Sequence, residues 1–244
     1  MSPEATTQNP VNPDEQLLHE SRVRNRQVVV AGIAGVLVLV ASIVAFLGPT
    51  SSVSEATLQL IYINKRFPLD LVSSVLNGFA SVATAWTLVY LYDCARARNP
   101  TASRWIRYIP MVGGGLAAVA GIVYQAISAV NAHKFVTTGH QTYGEASHIA
   151  GGAGVLTLQL LALVSSLLLA LGFVLVSLHS LRVGLLTRFL GYLGMFAGAL
   201  VLFPLLQVPV VQSYWLLALA YLLSGRWPTG VPAAWRTGRA EALP

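Results

Sequence analysis

The sequence contains few charged side chains. Only 10% of its 244 residues are Asp, Glu, Lys or Arg, whereas an average soluble domain has about 25%. Hydrophobic residues make up 55%, and the mean hydropathy is +0.65. Fifteen basic and nine acidic side chains cannot cover a 26.0 kDa globule. The composition therefore predicts an integral membrane protein, and the net charge of +6 does not indicate binding to nucleic acid.

Cysteine and several catalytic motifs are also scarce or missing. Cys94 is the single cysteine, which excludes a disulfide within the chain. The sequence has no GxSxG, no HExxH and no GxxxxGK phosphate loop. Ionisable side chains are absent from the middle of every predicted span, which argues against a proton pump or voltage sensor. These absences favour a non-enzymatic protein, and a metal-dependent membrane enzyme stays open as the alternative.

Long apolar stretches are what the sequence does contain. A spanning helix needs about 20 mostly apolar residues, and Pro204 and Pro209 favour a break between the last two stretches. The sequence predicts an all-α, six-helix membrane bundle, with spans at Val28–Leu47, Leu69–Tyr92, Ile109–Val130, Ile149–Leu178, Phe189–Leu206 and Val208–Leu223.

The basic residues predict the orientation of these spans. With the N-terminus in the cytoplasm, twelve basic residues fall on cytoplasmic segments and only Lys65, Arg66 and Lys134 on outer ones, as the positive-inside rule requires. Both termini are then cytoplasmic. Thirteen of the fifteen basic residues are Arg, and this bias, with the abundance of Ala, Leu, Val and Gly, indicates a bacterial cytoplasmic (inner) membrane protein.

The chain divides into three predicted parts. Residues 1–26 are polar and predict a disordered cytoplasmic tail, residues 27–225 form the transmembrane domain, and residues 226–244 form a cytoplasmic or interfacial C-terminal tail. For this last tail, disorder and partner binding are the alternative. The stretch Ser52–Pro68, in which Ser52 and Glu55 fit a capping box, predicts a short outer helix with Leu58, Leu60, Ile61 and Ile63 in the interface.

Small residues cluster in four of the predicted spans, several of them at four-residue spacing, which favours close helix packing in lipid. We interpret them as packing faces, with a hinge or close approach to a ligand as the alternative. The residues are Ser74 and Gly78; Gly113, Ala117 and Gly121; Gly151, Gly152 and Gly154; and Gly191, Gly194 and Gly198.

Polar side chains share one face of the second span. Asp70, Ser73, Asn77, Ser81 and Thr84 follow helical spacing. Gln125 and Ser128 share a face of the third span, and Gln159 lies within the fourth. We predict Asn77, Ser81, Gln125 and Gln159 as candidate ligand-binding residues around a polar cavity. Hydrogen bonding between packed helices is the alternative.

A second candidate site lies on the predicted outer face. Glu145 and His148 share one side of a helical turn, and His133 and His140 precede them. Histidine and carboxylate ligands suit zinc or another first-row metal, and Asp70 is a further candidate ligand. A solvated loop at headgroup level is the alternative, and no other cofactor is predicted.

The C-terminal part of the sequence contains a recognisable pattern. It consists of the run Arg182-Val-Gly-Leu-Leu-Thr-Arg-Phe-Leu-Gly-Tyr-Leu-Gly, followed by Gly198, Pro204 and Gly225-Arg226-Trp227-Pro228. This pattern resembles a broad group of uncharacterised polytopic membrane proteins of actinobacteria and their relatives, grouped only as a domain of unknown function. The resemblance covers about the C-terminal quarter of the chain. It implies a bacterial inner-membrane protein and assigns no catalytic residue.

Three functional hypotheses follow from these patterns. The first is a non-enzymatic accessory or assembly component of the membrane. The second is a carrier, or a membrane-embedded transporter subunit, for a small neutral solute. The third is a metal-binding membrane enzyme or sensor. The expected partners are the lipid bilayer and either a second copy of the chain or another membrane protein.

Overall fold

The computed structural model describes residues 13–47, 55–201 and 209–241; most of these residues are helical, and no strand occurs among them. A 3-10 turn at Arg104–Arg107 precedes α3. The helices of the described part are α1 (Pro13–Phe46), α2 (Ala56–Arg98), α3 (Tyr108–Thr137), α4 (Tyr143–Ala150), α5 (Ala153–Arg182), α6 (Arg188–Val201), α7 (Pro209–Leu223) and α8 (Ala233–Thr237).

Four of these helical segments are long and apolar enough to cross a membrane. They are Val23–Ala45, Ala56–Arg98, Arg104–Thr137 and Ala153–Arg182. The prediction of an all-helical membrane protein is confirmed. Helices α6 and α7 are shorter, with 14 and 15 residues, or about 21 and 22 Å at 1.5 Å per residue. Pro209 is the first residue of α7, and Pro204 lies outside the described residues.

The second half of the segment 1–26, for which the sequence predicts disorder, belongs to helix α1 in the structure. Helix α1 begins at Pro13 and continues without a break into its apolar span. Proline is favoured at the first position of a helix because its missing N–H needs no partner there. The following Glu15, Gln16, Leu17 and Leu18 have high helix propensity. Residues 1–12 lie outside the described residues.

The predicted outer helix before Pro68 is not a separate element. Helix α2 is continuous over 43 residues with Pro68 inside it, a length of about 64 Å. Its first turns pack against the end of α3 and against α4, where Leu60, Phe135 and Ala146 are buried together. Ile61 and Ile63 pack against this cluster, whereas Leu58 is exposed. Glu55 is the N-cap of α2 and makes no side-chain cap bond; Ser52 lies outside the described residues.

Six helices, α1, α2, α3, α5, α6 and α7, form a closed ring. Contacts run from α1 to α2, α3, α5, α6 and α7 in that order, and α7 returns to α1. Helices α2 and α5 also touch across the ring. We call the end of the bundle that carries α4 the α4 end, and the opposite end, which carries α8, the α8 end. Each helix has two neighbours along the ring, and its outward face carries exposed apolar side chains such as Phe79, Val119 and Leu163.

The ring is filled by side chains in the half nearer the α8 end. Trp215 of α7 is fully buried; its Nε1 donates a hydrogen bond to the carbonyl oxygen of Leu190 at 2.9 Å. Its ring meets the ring of Phe173 edge-on at 5.2 Å between centroids. The same cluster includes Leu88 and Leu219. This half of the bundle is therefore a closed apolar core.

Glycines allow the helices to approach closely in this half. A Cβ at Gly194 would lie 2.6 Å from Trp215 Nε1, and one at Gly198 would lie 2.8 Å from Phe173 Cβ. A Cβ at Gly113 would lie 2.8 Å from the backbone nitrogen of Leu169. Side chains at these three positions would force α3, α6 and α7 away from their neighbours. By contrast, a Cβ at Gly154, nearer the α4 end, would meet nothing within 4 Å.

The C-terminal segment packs into the core, which neither tail prediction anticipated. Trp235 of α8 is 5% exposed, and its Nε1 donates to the carbonyl oxygen of Leu185 at 2.9 Å. Arg98 Nε and Nη2 donate to the Ala234 carbonyl oxygen at 3.1 and 2.9 Å. Gly238 ends α8 with a φ of 67°, which favours glycine. Buried tryptophan and shared hydrogen bonds hold this segment across the end of the bundle.

We expect Trp235→Ala to lower the melting temperature of the purified protein markedly. Truncating a buried tryptophan costs about 3–5 kcal/mol, and this indole also loses its hydrogen bond to Leu185. Thermal unfolding in mild detergent measures the effect. Trp86→Ala is the matched control, because Trp86 is 61% exposed on α2. Equal melting temperatures for the two variants would contradict the packing of α8.

Candidate ligand-binding cavity

A polar cavity of about 790 Å³ lies inside the ring toward the α4 end. All six helices of the ring contribute to its wall. The lining residues are Ser42 and Ala45 of α1; Asp70, Ser73, Ser74, Asn77, Gly78 and Ser81 of α2; Ala117, Gly121, Tyr124 and Gln125 of α3; Ser166 of α5; Ala197, Leu200 and Val201 of α6; and Pro209 and Gln212 of α7.

The cavity runs from the α4 end to the middle of the bundle. Along α2 its wall extends from Asp70 to Ser81, which is about 16 Å of helix. Ala197, one turn from Gly194, also lines it, and the buried Trp215 contacts the Gly194 position. The apolar core described above therefore closes the cavity on the side of the α8 end.

Small residues on α3 change role where the cavity begins. Gly113 is pressed against α5, whereas Ala117 and Gly121 line the cavity. A Cβ at Gly121 would meet only Ser74 Oγ, at 3.8 Å. The same four-residue pattern thus packs helices at one end and leaves open volume at the other.

Hydroxyl groups in the wall bond to backbone carbonyls. Ser42 Oγ donates to the Val38 carbonyl oxygen at 2.6 Å, within α1. Ser73 Oγ donates to the Ala41 carbonyl oxygen at 3.0 Å and so links α2 to α1. Ser166 Oγ likewise donates to a carbonyl of its own helix, at 2.9 Å. Their remaining lone pairs can still accept hydrogen bonds.

The amides of the wall have no such partners. Asn77, Gln125 and Gln212 make no hydrogen bond to any other described residue. Each amide offers two donor hydrogens and one acceptor oxygen. Polar groups in a low-dielectric surrounding are costly when unpaired, so these three side chains need water or a ligand inside the cavity.

The cavity wall carries little net charge. Asp70 is the charged side chain among the described lining residues, and its Oδ1 lies 3.2 Å from Arg66 Nε. Arg66 Nη1 donates to Tyr62 Oη at 2.7 Å, and Nη2 donates to the Ala45 carbonyl oxygen. The pair is shielded, with side-chain exposures of 11% for Arg66 and 23% for Asp70. The charges compensate each other at the wall.

Three of the four predicted ligand-binding residues lie together here. Asn77, Ser81 and Gln125 all line the cavity, and Gln159 does not. Gln159 is exposed and lies seven residues before Ser166 on α5, about 10 Å nearer the α4 end. The same helical face therefore reaches the cavity only at the deeper position.

Sequence reasoning missed Gln212 and Tyr124, which also line the cavity. Gln212 is the single amide within the apolar sequence of α7. This isolation was the one sequence feature that could have indicated a position in the cavity. Tyr124 adjoins Gln125 in sequence but carried no spacing pattern of its own. Thr84 and Ser128, which belonged to the predicted polar faces, are outside the lining.

The four predicted metal ligands are placed around α4. His133, His140 and His148 are exposed, and Glu145 is partly buried in the first turn of α4. Among the described residues no three His, Cys, Asp or Glu side chains group closely enough to hold a metal. Asp70 is paired with Arg66 instead. The metal site stays a prediction.

Comparison of the chain with protein-family models, curated proteins and solved structures finds no match. The resemblance of the C-terminal quarter to actinobacterial membrane proteins therefore stays a prediction.

We expect Asp70→Asn to destabilise the protein by about 3 kcal/mol, because Arg66 would keep a shielded charge without its counterion. The double variant Arg66→Gln/Asp70→Asn removes both charges and should lose less stability than Asp70→Asn alone. Melting temperatures of the two single variants and the double variant form the required cycle. A double variant as unstable as the sum of both single changes would contradict this pairing.

Proposed function

We propose that this chain is a carrier, or the membrane-embedded subunit of one, that binds a small neutral solute in the cavity between its helices. The observation that carries the proposal is the set of amides at Asn77, Gln125 and Gln212, which face a volume of about 790 Å³ without hydrogen-bond partners among the described residues.

The accessory or assembly hypothesis explains these polar residues less well. It attributes them to hydrogen bonds between packed helices, and Ser73 does make one, to α1. Asn77, Ser81 and Gln125 make none within the described chain. Polar side chains that only joined helices would point into contacts, and here they point into open volume.

The wall favours a neutral solute with several hydroxyl or amide groups. Its volume is within the range of about 300–1,000 Å³ typical of small-molecule sites. Asp70 is neutralised by Arg66, so an ionic solute would find no unmatched countercharge on the described wall. The amides supply donors and acceptors together, which suits a polyol, a sugar or a urea-like molecule.

We also propose that six helices span the membrane with both termini in the cytoplasm. Helices α6 and α7 occupy places in the ring between full-length spans, although each is short. Twelve basic residues lie toward the α8 end, and Lys65, Arg66 and Lys134 lie toward the α4 end. The positive-inside rule then assigns the α8 end to the cytoplasm, and the cavity opens outward from a bacterial cytoplasmic membrane.

Impermeant maleimide labelling of intact cells tests this orientation. Cys94 is buried, and Cys94→Ala provides a cysteine-free background. We expect Gln141→Cys, in the exposed segment before α4, to be labelled from outside. Thr101→Cys, exposed between α2 and α3, should be labelled only after the cells are opened. The reverse pattern would contradict the proposed orientation.

Uptake into proteoliposomes tests the function. Labelled glycerol, urea and glucose are the probes, and the proposal expects uptake of at least one of them above that of empty vesicles. The variant Asn77→Leu/Gln125→Leu should then weaken binding about 30-fold, because two hydrogen bonds of about 1 kcal/mol each are lost.

Gln159→Leu is the matched control for this experiment, since it makes the same change at an exposed amide outside the cavity. Its uptake should equal that of the unmodified protein. Melting temperatures establish that both variants are folded. Normal uptake by the folded double variant, or equal loss in the control, would contradict a binding role for the cavity.

A further inference from the structure

A second, smaller cavity lies at the α8 end, where α2 gives way to the turn before α3. It has a volume of about 360 Å³ and is lined by Asp93, Arg96, Ala97 and Pro100. Arg107, from the 3-10 turn, approaches it with Nη2 at 3.7 Å from Asp93 Oδ2. The last turn of α2 and the 3-10 turn therefore form the two sides of one basic recess.

The guanidinium groups of this recess have unused donors. Arg96 Nε and Arg107 Nε are both buried and have no hydrogen-bond partner among the described residues. The charges of both arginines act on the Asp93 carboxyl, and Arg104 belongs to the same turn as Arg107. Two guanidinium groups thus share the carboxylate of Asp93, and Arg104 adds a third positive charge to the adjoining turn. A buried N–H without an acceptor is costly, so an anionic oxygen here would be stabilised.

Aromatic side chains place this recess at the level of lipid headgroups. Trp105 is 78% exposed and Tyr108 is 48% exposed, and their ring centroids are 5.8 Å apart. Both residues lie at the start of the helical segment that leads into a candidate span. Exposed Trp and Tyr at the ends of spanning helices are typical of the membrane–water interface. The anion that is abundant at this depth is the phosphodiester of an acidic lipid.

We propose that this recess binds the phosphodiester headgroup of an anionic phospholipid. Arg96 is the principal ligand because its Nε–H is unpaired and it lines the recess. Arg104 and Arg107 supply additional positive charge, and Trp105 packs beside the acyl-chain region. This site is separate from the cavity at the α4 end and does not depend on what that cavity binds.

Thermal unfolding of the full-length protein in neutral detergent tests the proposal. Phosphatidylglycerol, phosphatidylcholine and inorganic phosphate are titrated separately, and the melting temperature gives an apparent Kd for each. We expect phosphatidylglycerol to stabilise the protein more than phosphatidylcholine does, and inorganic phosphate to have little effect. The variant Arg96→Gln/Arg104→Gln should bind phosphatidylglycerol about tenfold or more weakly, since charge-assisted hydrogen bonds are lost.

Arg226→Gln/Arg239→Gln is the matched control, because it removes two exposed charges elsewhere in the described C-terminal segment. Its affinity for phosphatidylglycerol should be unchanged. Equal stabilisation by both lipids, saturation by inorganic phosphate alone, or equal loss in the control variant would each overturn the proposal. So would unchanged affinity in the recess variant. If that variant fails to fold, Arg96→Lys decides, because it keeps the charge without the Nε–H; unchanged affinity would then overturn the proposal.

Discussion

The fully buried indole of Trp215 sets the spacing of α5, α6 and α7. Its Nε1 is anchored to Leu190 at the start of α6, and its ring meets Phe173 of α5. The position of Gly194 allows this contact, since any side chain there would collide with the indole and with Ser177. In lipid, where helix association depends on such close packing rather than on apolar burial, this contact closes one half of the ring. The other half of the ring contains the cavity, because helices that are held together at the α8 end need not be in contact at the α4 end.

Because the apolar core closes the ring only at the α8 end, the polar side chains nearer the α4 end face a cavity. The cavity is walled by the inward faces of six helices, so the polar side chains on those faces lie inside the ring, and several of them make no hydrogen bond to another described residue. Asn77 and Gln125 line this volume and make no hydrogen bond to another residue of the described chain. Asp70 and Arg66 satisfy each other within one helix. The cavity wall therefore combines a compensated ion pair with amides that keep their hydrogen-bonding capacity.

Helical spacing predicted the part of the site that lies on a single helix. Asn77 and Ser81 share a face of α2, and a periodic pattern is sufficient to find such residues. The same pattern wrongly placed Gln159 in the cavity, because helical spacing gives the face of a helix on which a residue lies but not whether the cavity reaches that position along the helix. The burial of Trp235 could not be predicted either, since interfacial and buried tryptophans have the same sequence neighbours, and only tertiary contacts such as those with Arg98 and Leu185 distinguish them. The all-helical membrane character, by contrast, followed from the composition and from the lengths of the apolar stretches.

The two ends of the bundle differ in what they leave unsatisfied. Near the α4 end the neutral amides of Asn77, Gln125 and Gln212 line the larger cavity without a partner in the described chain, and near the α8 end Arg96 and Arg107 have buried Nε–H groups without an acceptor among the described residues. An amide exchanges water for a solute at little cost, which suits a ligand that binds and leaves. A shielded guanidinium holds an anion more strongly, which suits a resident lipid. Arg96 in the last turn of α2 and Asn77 lie on the same continuous helix, so α2 contributes to the walls of both the cavity and the basic recess.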